Sequence, residues 1–416
     1  MEVTVPIDVA LIGTGDRSRT VYRPLFAALE PWVRLVAVCD PVRESADAFA
    51  ESMGVPAFYS LEQLVRARPS EAALIVTPVE SHYAISCFLS RHGIHNLVET
   101  TMASLLAQAE EMVATARASD VVMRVAENFF RFPFDRLAKR VAETGFLGPV
   151  NRLTCFHDSL GFHNNSRWIA FYGSHPETVQ AIEHVTPVAP HYEAPHRFHE
   201  RETFGARFYT FPGNRLVVDA SGNTKGLLGR YPRPGYTEID GAQGTIVQQA
   251  IPGRPWHAEA EVRYCSDHAL RNGGVADDIF PVVHAAEDGH WISTYVDLPV
   301  GRIEVPNPYP STRAAPSLEQ HYGHDYYAAT VMGHIVDFAR AVRGDGRSEF
   351  TDDDAKMSMM MTVAARESAL RRGELVALPL SGALEGEERA RKSLNAKYGA
   401  DPLDVEAMLA VSYPRL

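Results

Sequence analysis

Two glycines, Gly13 and Gly15 in the stretch LIGTGDRS, lie between an apolar run and a helix-like segment. A glycine at the first position permits a tight turn. A bare backbone at the second lets a diphosphate approach the N–H groups and positive dipole end of the helix that follows. Thr14, Asp16 and Arg17 complete the loop, and Ser18 stands where a third glycine is usual. Asp40 closes the next apolar run, where a carboxylate would accept hydrogen bonds from ribose hydroxyls. Such an acid favours NAD over NADP, whereas Arg43, three residues on, would suit a 2′-phosphate.

A second group of chemically capable residues lies further along. The stretch HNNSRW, with His163, Arg167 and Trp168, and the nearby Tyr172 offer polar contacts to a hydroxylated ligand. The alternative is that Trp168 and Phe171 are core and Arg167 is a solvated charge. Lys225 follows a strand-like run and faces either a cleft or solvent. Seven histidines fall between His157 and His199, but their surroundings are β-like. Residues three apart on a strand, such as His196 and His199, point to opposite faces, so no metal site is expected.

These residues need elements to position them. The chain has 416 residues, 45% of them hydrophobic, which is enough for two or three domains. From Ile7 to about Asn128, short apolar runs (VALIG, RLVAVCD, ALIVTP, HNLVET, VVMRVAEN) alternate with helix-length amphipathic stretches such as TVYRPLFAAL. This is the pattern of a doubly wound α/β domain, a parallel sheet covered on both faces. Beyond it, β-rich segments such as ARFYTF, RLVVDASG and WISTYVDL imply an α+β domain with two amphipathic helices near its end. The organisation expected is therefore residues 1–128, 129–383 and a charged helical tail, 384–416, which could wrap a neighbour or cap the surface. A net charge of −12 argues against nucleic acid as a partner. Four scattered cysteines without C-x-x-C spacing argue against disulfides and structural zinc. With no apolar run long enough for a membrane helix and no basic leader, the expectation is a cytoplasmic protein without membrane contact.

The stretches TPVESHY, GIHNLVET, AENFFRFP and GFLGPV, in that order and spacing, resemble the Gfo/Idh/MocA family of glucose-fructose oxidoreductase-like and inositol dehydrogenase-like proteins. Later pieces, EIDGAQGTIV and the long stretch from DFARAVRG to GELVAL, agree, so the resemblance covers most of the chain. It implies an N-terminal Rossmann domain followed by an α+β domain with a large, open, mostly antiparallel sheet. That sheet would carry the substrate pocket and assemble a homodimer or homotetramer. It also implies an NAD(P)-dependent oxidoreductase acting on a sugar, cyclitol or related polyol. The nucleotide site would extend to Thr77, Pro78, His82, Glu99, Thr100 and Asn128.

Two departures from the family pattern bear on catalysis. The family's Glu-Lys-Pro reads Glu99-Thr100-Thr101 here, so the usual proton-relaying lysine is missing. In FYGSHPET, taken as the catalytic stretch of the second domain, His175 keeps the histidine but Phe171 replaces the acid four residues before it. His175 is therefore the expected acid–base group, with Tyr172 and Lys225 as possible helpers. EQHYGHDYY resembles the His-x-Gly-x-Asp stretch of the family's NAD-dependent glycosidase branch, with His321, Gly323 and Asp325 matching and His324 offering a substrate contact. Two alternatives stay open: a hydrolase or lyase that oxidises its substrate transiently, and a dinucleotide sensor without turnover.

Overall fold

The computed structural model describes residues 5–157, 161–194, 197–221, 236–250, 258–274, 278–288, 290–309, 325–346 and 348–414. The N-terminal part holds six strands: β1 (Ile7–Ile12), β2 (Val33–Cys39), β3 (Ala57–Phe58), β4 (Ala72–Ile75), β5 (His95–Val98) and β6 (Met123–Val125). They pair in the order β3-β2-β1-β4-β5-β6, every pair parallel. Ala72–Ile75 is buried at every residue, because helices cover both faces of a parallel sheet and leave no polar side for alternation. The helices are α1 (Phe26–Leu29), α2 (Arg43–Met53), α3 (Leu61–Ala67), α4 (Val79–Arg91) and α5 (Leu106–Ala118). The first is shorter than its sequence suggests. The segment after the glycine loop is a π-turn (Ser18–Tyr22), a 3-10 turn (Arg23–Leu25) and only then α1. Pro24 lacks an N–H and its ring crowds the preceding turn, so a regular helix cannot pass through it.

The second part is built on a nine-stranded sheet ordered β14-β13-β12-β11-β7-β10-β9-β8-β18. Its members are β7 (Val150–His157), β8 (Thr178–Ala194), β9 (Arg197–Phe211), β10 (Arg215–Ser221), β11 (Tyr236–Gly241), β12 (Gly244–Ala250), β13 (Ala258–Tyr264), β14 (Asp278–Pro281) and β18 (Val376–Ala377). Only β7 and β10 pair in parallel; the rest of this sheet is antiparallel. The stretch WISTYVDL lies in a separate three-stranded sheet of β15 (Val283–Glu287), β16 (His290–Leu298) and β17 (Gly301–Pro306). Helices α6 (Pro133–Glu143), α7 (Phe162–Tyr172), α8 (Asp267–Arg271), α9 (Asp325–Arg343) and α10 (Asp352–Leu370) complete this part. Among the described residues no helix is long and apolar enough to cross a membrane, and no cluster of side chains could hold a metal ion.

The tail, α11 (Glu385–Tyr398) and α12 (Val405–Leu409), docks on the chain's own N-terminal helices. Gln108 of α5 donates to the Pro402 carbonyl at 2.7 Å, and Tyr83 of α4 donates to the Leu403 carbonyl at 2.8 Å. At its start, the fully buried Glu367 of α10 accepts the backbone N–H groups of Glu385 and Gly386 at 3.1 and 2.5 Å. Glu367→Ala should therefore strand two helix-end donors and lower stability by about 2–4 kcal/mol. Urea unfolding and limited proteolysis read this, with cleavage expected first between α10 and α11.

Candidate functional site at the carboxyl edge of the parallel sheet

Because all six N-terminal strands run the same way, the loops that follow β1, β2, β4, β5 and β6 meet at one edge. The first loop has its conformation forced. Gly13 has φ +91°, and a Cβ there would sit 2.3 Å from the Val76 carbonyl oxygen. Ser18 Oγ donates to the Gly13 carbonyl at 2.7 Å, so the residue at the third-glycine position closes the loop on itself. Gly15 is different: a Cβ there would meet nothing within 4 Å. No packing within the protein demands that glycine, which fits a position kept bare for a ligand. Asp40 is only 3% exposed, and its carboxylate accepts from the Thr14 N–H and hydroxyl at 2.9 Å each and from the Val42 N–H at 2.9 Å. It braces the loop as well as lying beside it. Arg43 lies outside, its guanidinium 3.7 Å above the Tyr59 ring.

The loops after β4 and β5 are tied together from beneath. His82 is buried, with Nδ1 2.8 Å from the Thr101 carbonyl and Nε2 2.9 Å from the Thr77 carbonyl. Burial lowers its pKa, and both ring nitrogens are engaged by backbone, so it acts as a clamp for those loops. Thr77 accepts from the Ser81 hydroxyl at 2.8 Å, and Pro78 leads into α4. Glu99 accepts from Arg17 Nε and the Tyr22 hydroxyl at 2.8 Å each, and from the Thr100 N–H at 3.0 Å. Burial alone would raise its carboxyl, but the Arg17 guanidinium overrides that and holds it at about 2. Arg17 also donates to the Tyr327 hydroxyl of α9 at 2.7 Å. The cation at Glu99 is thus an arginine from the glycine loop, and Thr100, where the family resemblance leads one to expect a lysine, gives its N–H to the same carboxylate. Asp16 is part of the same loop and exposed. Beside Tyr22 lies His334 of α9, which burial lowers to about 3. Asn128 donates to Thr330 of α9 at 3.1 Å, so that helix reaches from the first loop to the last.

At the β6 end the second domain contributes a histidine. His163, in the first turn of α7, has Nδ1 3.0 Å from Glu127 Oε2 and stacks on Phe129 with ring centroids 4.2 Å apart. Ser166 donates to the same carboxylate oxygen at 3.2 Å. Both Glu127 and His163 are buried. Sequence reasoning missed Glu127, although an acid next to Asn128 at a strand end was a signal. It also missed α7, because His163, Asn164, Asn165, Ser166 and Arg167 are all buried, which erases the amphipathic pattern.

The structure does not bring the other second-domain candidates to this edge. Arg167 donates to Asp135 at 2.7 Å and Trp168 to Asp219 at 3.2 Å, both from within the core. The reading of Trp168 as core holds, but Arg167 is a buried brace rather than a solvated charge. Tyr172 is nine residues beyond His163, about 13 Å along the helix, in an open depression of about 470 Å³ with Lys139 and Arg215. His175 Nε2 lies 2.8 Å from Asp354. The neighbouring Asp352 and Asp353 bind Arg117, at the C-terminal end of α5. Since α5 starts at the carboxyl edge and runs about 18 Å away from it, this places His175 by the opposite edge. Lys225, His321 and His324 lie outside the described residues.

Comparison with known proteins fits this geometry. Residues 7–127 match the model of the Gfo/Idh/MocA oxidoreductase family, described as its NAD-binding Rossmann fold. The Escherichia coli D-glucoside 3-dehydrogenase is 31% identical over 35% of this chain and 41% of its own. A glycosyl hydrolase family 109 protein of Streptomyces filamentosus is 26% identical over 40% of this chain and 34% of its own. This chain spans about half the length, or less, of the curated relatives it matches. A levoglucosan dehydrogenase solved with NADH and levoglucosan superposes with a TM-score of 0.65 at 19% identity, over 90% of this chain and all of the other. That likeness shows that the two-part fold is shared from end to end.

Two outcomes follow from the edge. Gly13→Ala should destabilise the fold itself, whereas Gly15→Ala should leave the melting temperature of the free protein unchanged and abolish the stabilisation given by NAD, read by thermal shift. Acid should act in two windows. His334 has a folded pKa near 3 against an ordinary 6.5, so the unfolded chain takes up its proton first and stability falls as pH drops below 6.5. Glu99 has a folded pKa of about 2 against 4.5, so its contribution is complete above 4.5 and is lost as pH falls towards 2. Urea midpoints across pH should show His334→Gln flattening the upper window and Glu99→Gln the lower.

Proposed function

We propose that the chain is an NAD-dependent oxidoreductase acting on a sugar, cyclitol or related polyol, with His163 rather than His175 as its acid–base group. The observation that carries the reading is the buried His163–Glu127 pair beside the loops of the nucleotide edge. Glu127 accepts the Nδ1 proton, which fixes the tautomer with a lone pair on Nε2 and stabilises the imidazolium once it forms. Nε2 then takes the proton of the carbinol hydroxyl while the carbinol hydrogen leaves as hydride, giving the carbonyl. Bound NAD+ would supply the hydride acceptor. The residues fit such a ligand at Gly15, where the backbone is bare, and at Asp40, which lies against the same loop. Thr100 can orient a hydroxyl or carboxamide but has no accessible pKa for proton transfer. Arg17 contributes a fixed positive charge instead.

The Streptomyces filamentosus relative supports a second reading, in which oxidation is transient and a glycosidic bond is broken with no net NADH. For assembly, a homo-oligomer through the large sheet is supported by Ile182, Val185 and Phe208, all of which are exposed on β8 and β9.

Purified protein should form NADH with at least one member of a sugar and polyol panel. His163→Ala should lower kcat by on the order of 10²-fold or more, Glu127→Gln by a smaller factor, and His175→Ala should leave kcat near that of the natural chain. The reverse ranking of the two histidine variants would return the acid–base role to His175. Release of free sugar from a glycoside without NADH would favour the second reading.

A further inference from the structure

We infer that the pocket enclosed by the 101–104 loop, α10 and the start of the tail is a subsite for one neutral or cationic polyhydroxylated ring, held through its hydroxyls by the carboxylates of Glu127 and Glu387. This rests on the oxidoreductase reading and deepens it, naming the charge class of the substrate and giving the tail a part in binding.

The pocket has a volume of about 340 Å³, at the lower end of the range for small-molecule sites, roughly 300–1,000 Å³. That suits a single ring. Its walls combine apolar surface from Phe162 and Met359 with hydroxyls from Thr101, Ser104 and Thr362. Two carboxylates border it from opposite parts of the chain. Glu127 Oε2 is occupied by His163 and Ser166, and no hydrogen bond to its Oε1 is formed among the described residues. Glu387 Oε2 accepts the Leu106 N–H at 2.6 Å, while its Oε1 is buried with no donor.

Each acid is therefore fixed by one oxygen, and Glu387 Oε1 is a buried acceptor lacking a donor. A buried acceptor of this kind is satisfied by a ligand O–H or N–H. Arg366 also borders the pocket, but it is exposed. An anionic ring would meet the two acids inside, whereas a neutral or ammonium-bearing ring meets acceptors. Glu127 links this subsite to the proposed base, since one carboxylate touches His163 and borders the pocket. Glu387 makes the subsite depend on the docked tail, whose start is held by Glu367.

The test is calorimetric titration of the full-length protein with D-glucose, D-glucosamine and D-glucuronate, with and without NAD+. Glucose and glucosamine should bind at least tenfold more tightly than glucuronate. Glu387→Gln, which keeps an oxygen for the Leu106 N–H, should narrow that preference. Met359→Trp, which fills the pocket, should remove sugar binding. A thermal shift with NAD+ confirms that both variants are folded. Equal binding of the three sugars, binding that survives Met359→Trp, or no sugar binding by the natural chain would overturn the inference and leave the pocket to solvent. NADH formation is scored separately. Turnover unaffected by both variants removes the subsite and leaves the oxidoreductase reading intact, while variant-sensitive sugar binding without NADH leaves the subsite and removes that reading.

Discussion

The carboxylate of Glu99 is the constraint on which the rest of the site depends. It is buried at the end of β5, where an unpaired charge would be prohibitively costly, and it survives because three donors converge on it. Arg17 brings the glycine loop, Tyr22 brings the distorted helical segment behind that loop, and the Thr100 N–H brings the strand's own exit. Arg17 also reaches Tyr327, so the same carboxylate positions α9 and, through it, the second part of the chain. Breaking one of these bonds leaves a buried charge under-compensated, which is why the loop, strand end and helix behave as one unit.

That arrangement has a chemical consequence. Glu99 is held far below the carboxylate range by its cation, and His334 is held well below the histidine range by burial. Neither exchanges a proton near neutral pH. His82 is spent bridging two loops from beneath. The titratable groups packed deepest beneath the nucleotide edge are thus structural, and in the proposed reaction proton transfer falls to a group at its margin. His163 meets that requirement, because a carboxylate supports Nδ1 while the rest of the ring lies against Phe129 rather than against further hydrogen-bonding groups.

Much of the fold was legible because it rests on local rules. Apolar runs fully buried between helices announce parallel strands, and Gly13 is required by a left-handed φ and a carbonyl too close for any Cβ. The geometry of the second-domain helix was hidden for an equally physical reason. In α7 the buried residues are mostly polar, each paired inside the protein: His163 to Glu127, Asn165 to the Ser358 carbonyl, Arg167 to Asp135. Hydrophobic periodicity registers burial through apolar side chains alone, so this helix gives no stripe. Without the helix, linear spacing put weight on His175, which the chain carries past the end of α7 to Asp354. Pairing partners 36 residues apart, as for His163 and Glu127, or 179 apart, as for His175 and Asp354, are set by topology and leave no trace in spacing.

The threonine that stands where the family resemblance leads one to expect a lysine then acquires a physical meaning. In the proposed chemistry, a lysine at position 100 would combine two tasks, a positive charge near the reacting oxygen and a group able to gain or lose a proton. Here the charge sits on Arg17, fixed by Glu99 and too basic to titrate, and the proposed proton-transfer group, His163, sits on another element altogether, at the start of α7. Separating the tasks removes the need for a titratable amine on β5 and explains how Thr100 can stand there: its N–H completes the shell of Glu99, and its short side chain leaves room beside the loop that Gly15 keeps bare. On this reading, adding a lysine at position 100 would set a second cation against Arg17 for the same carboxylate.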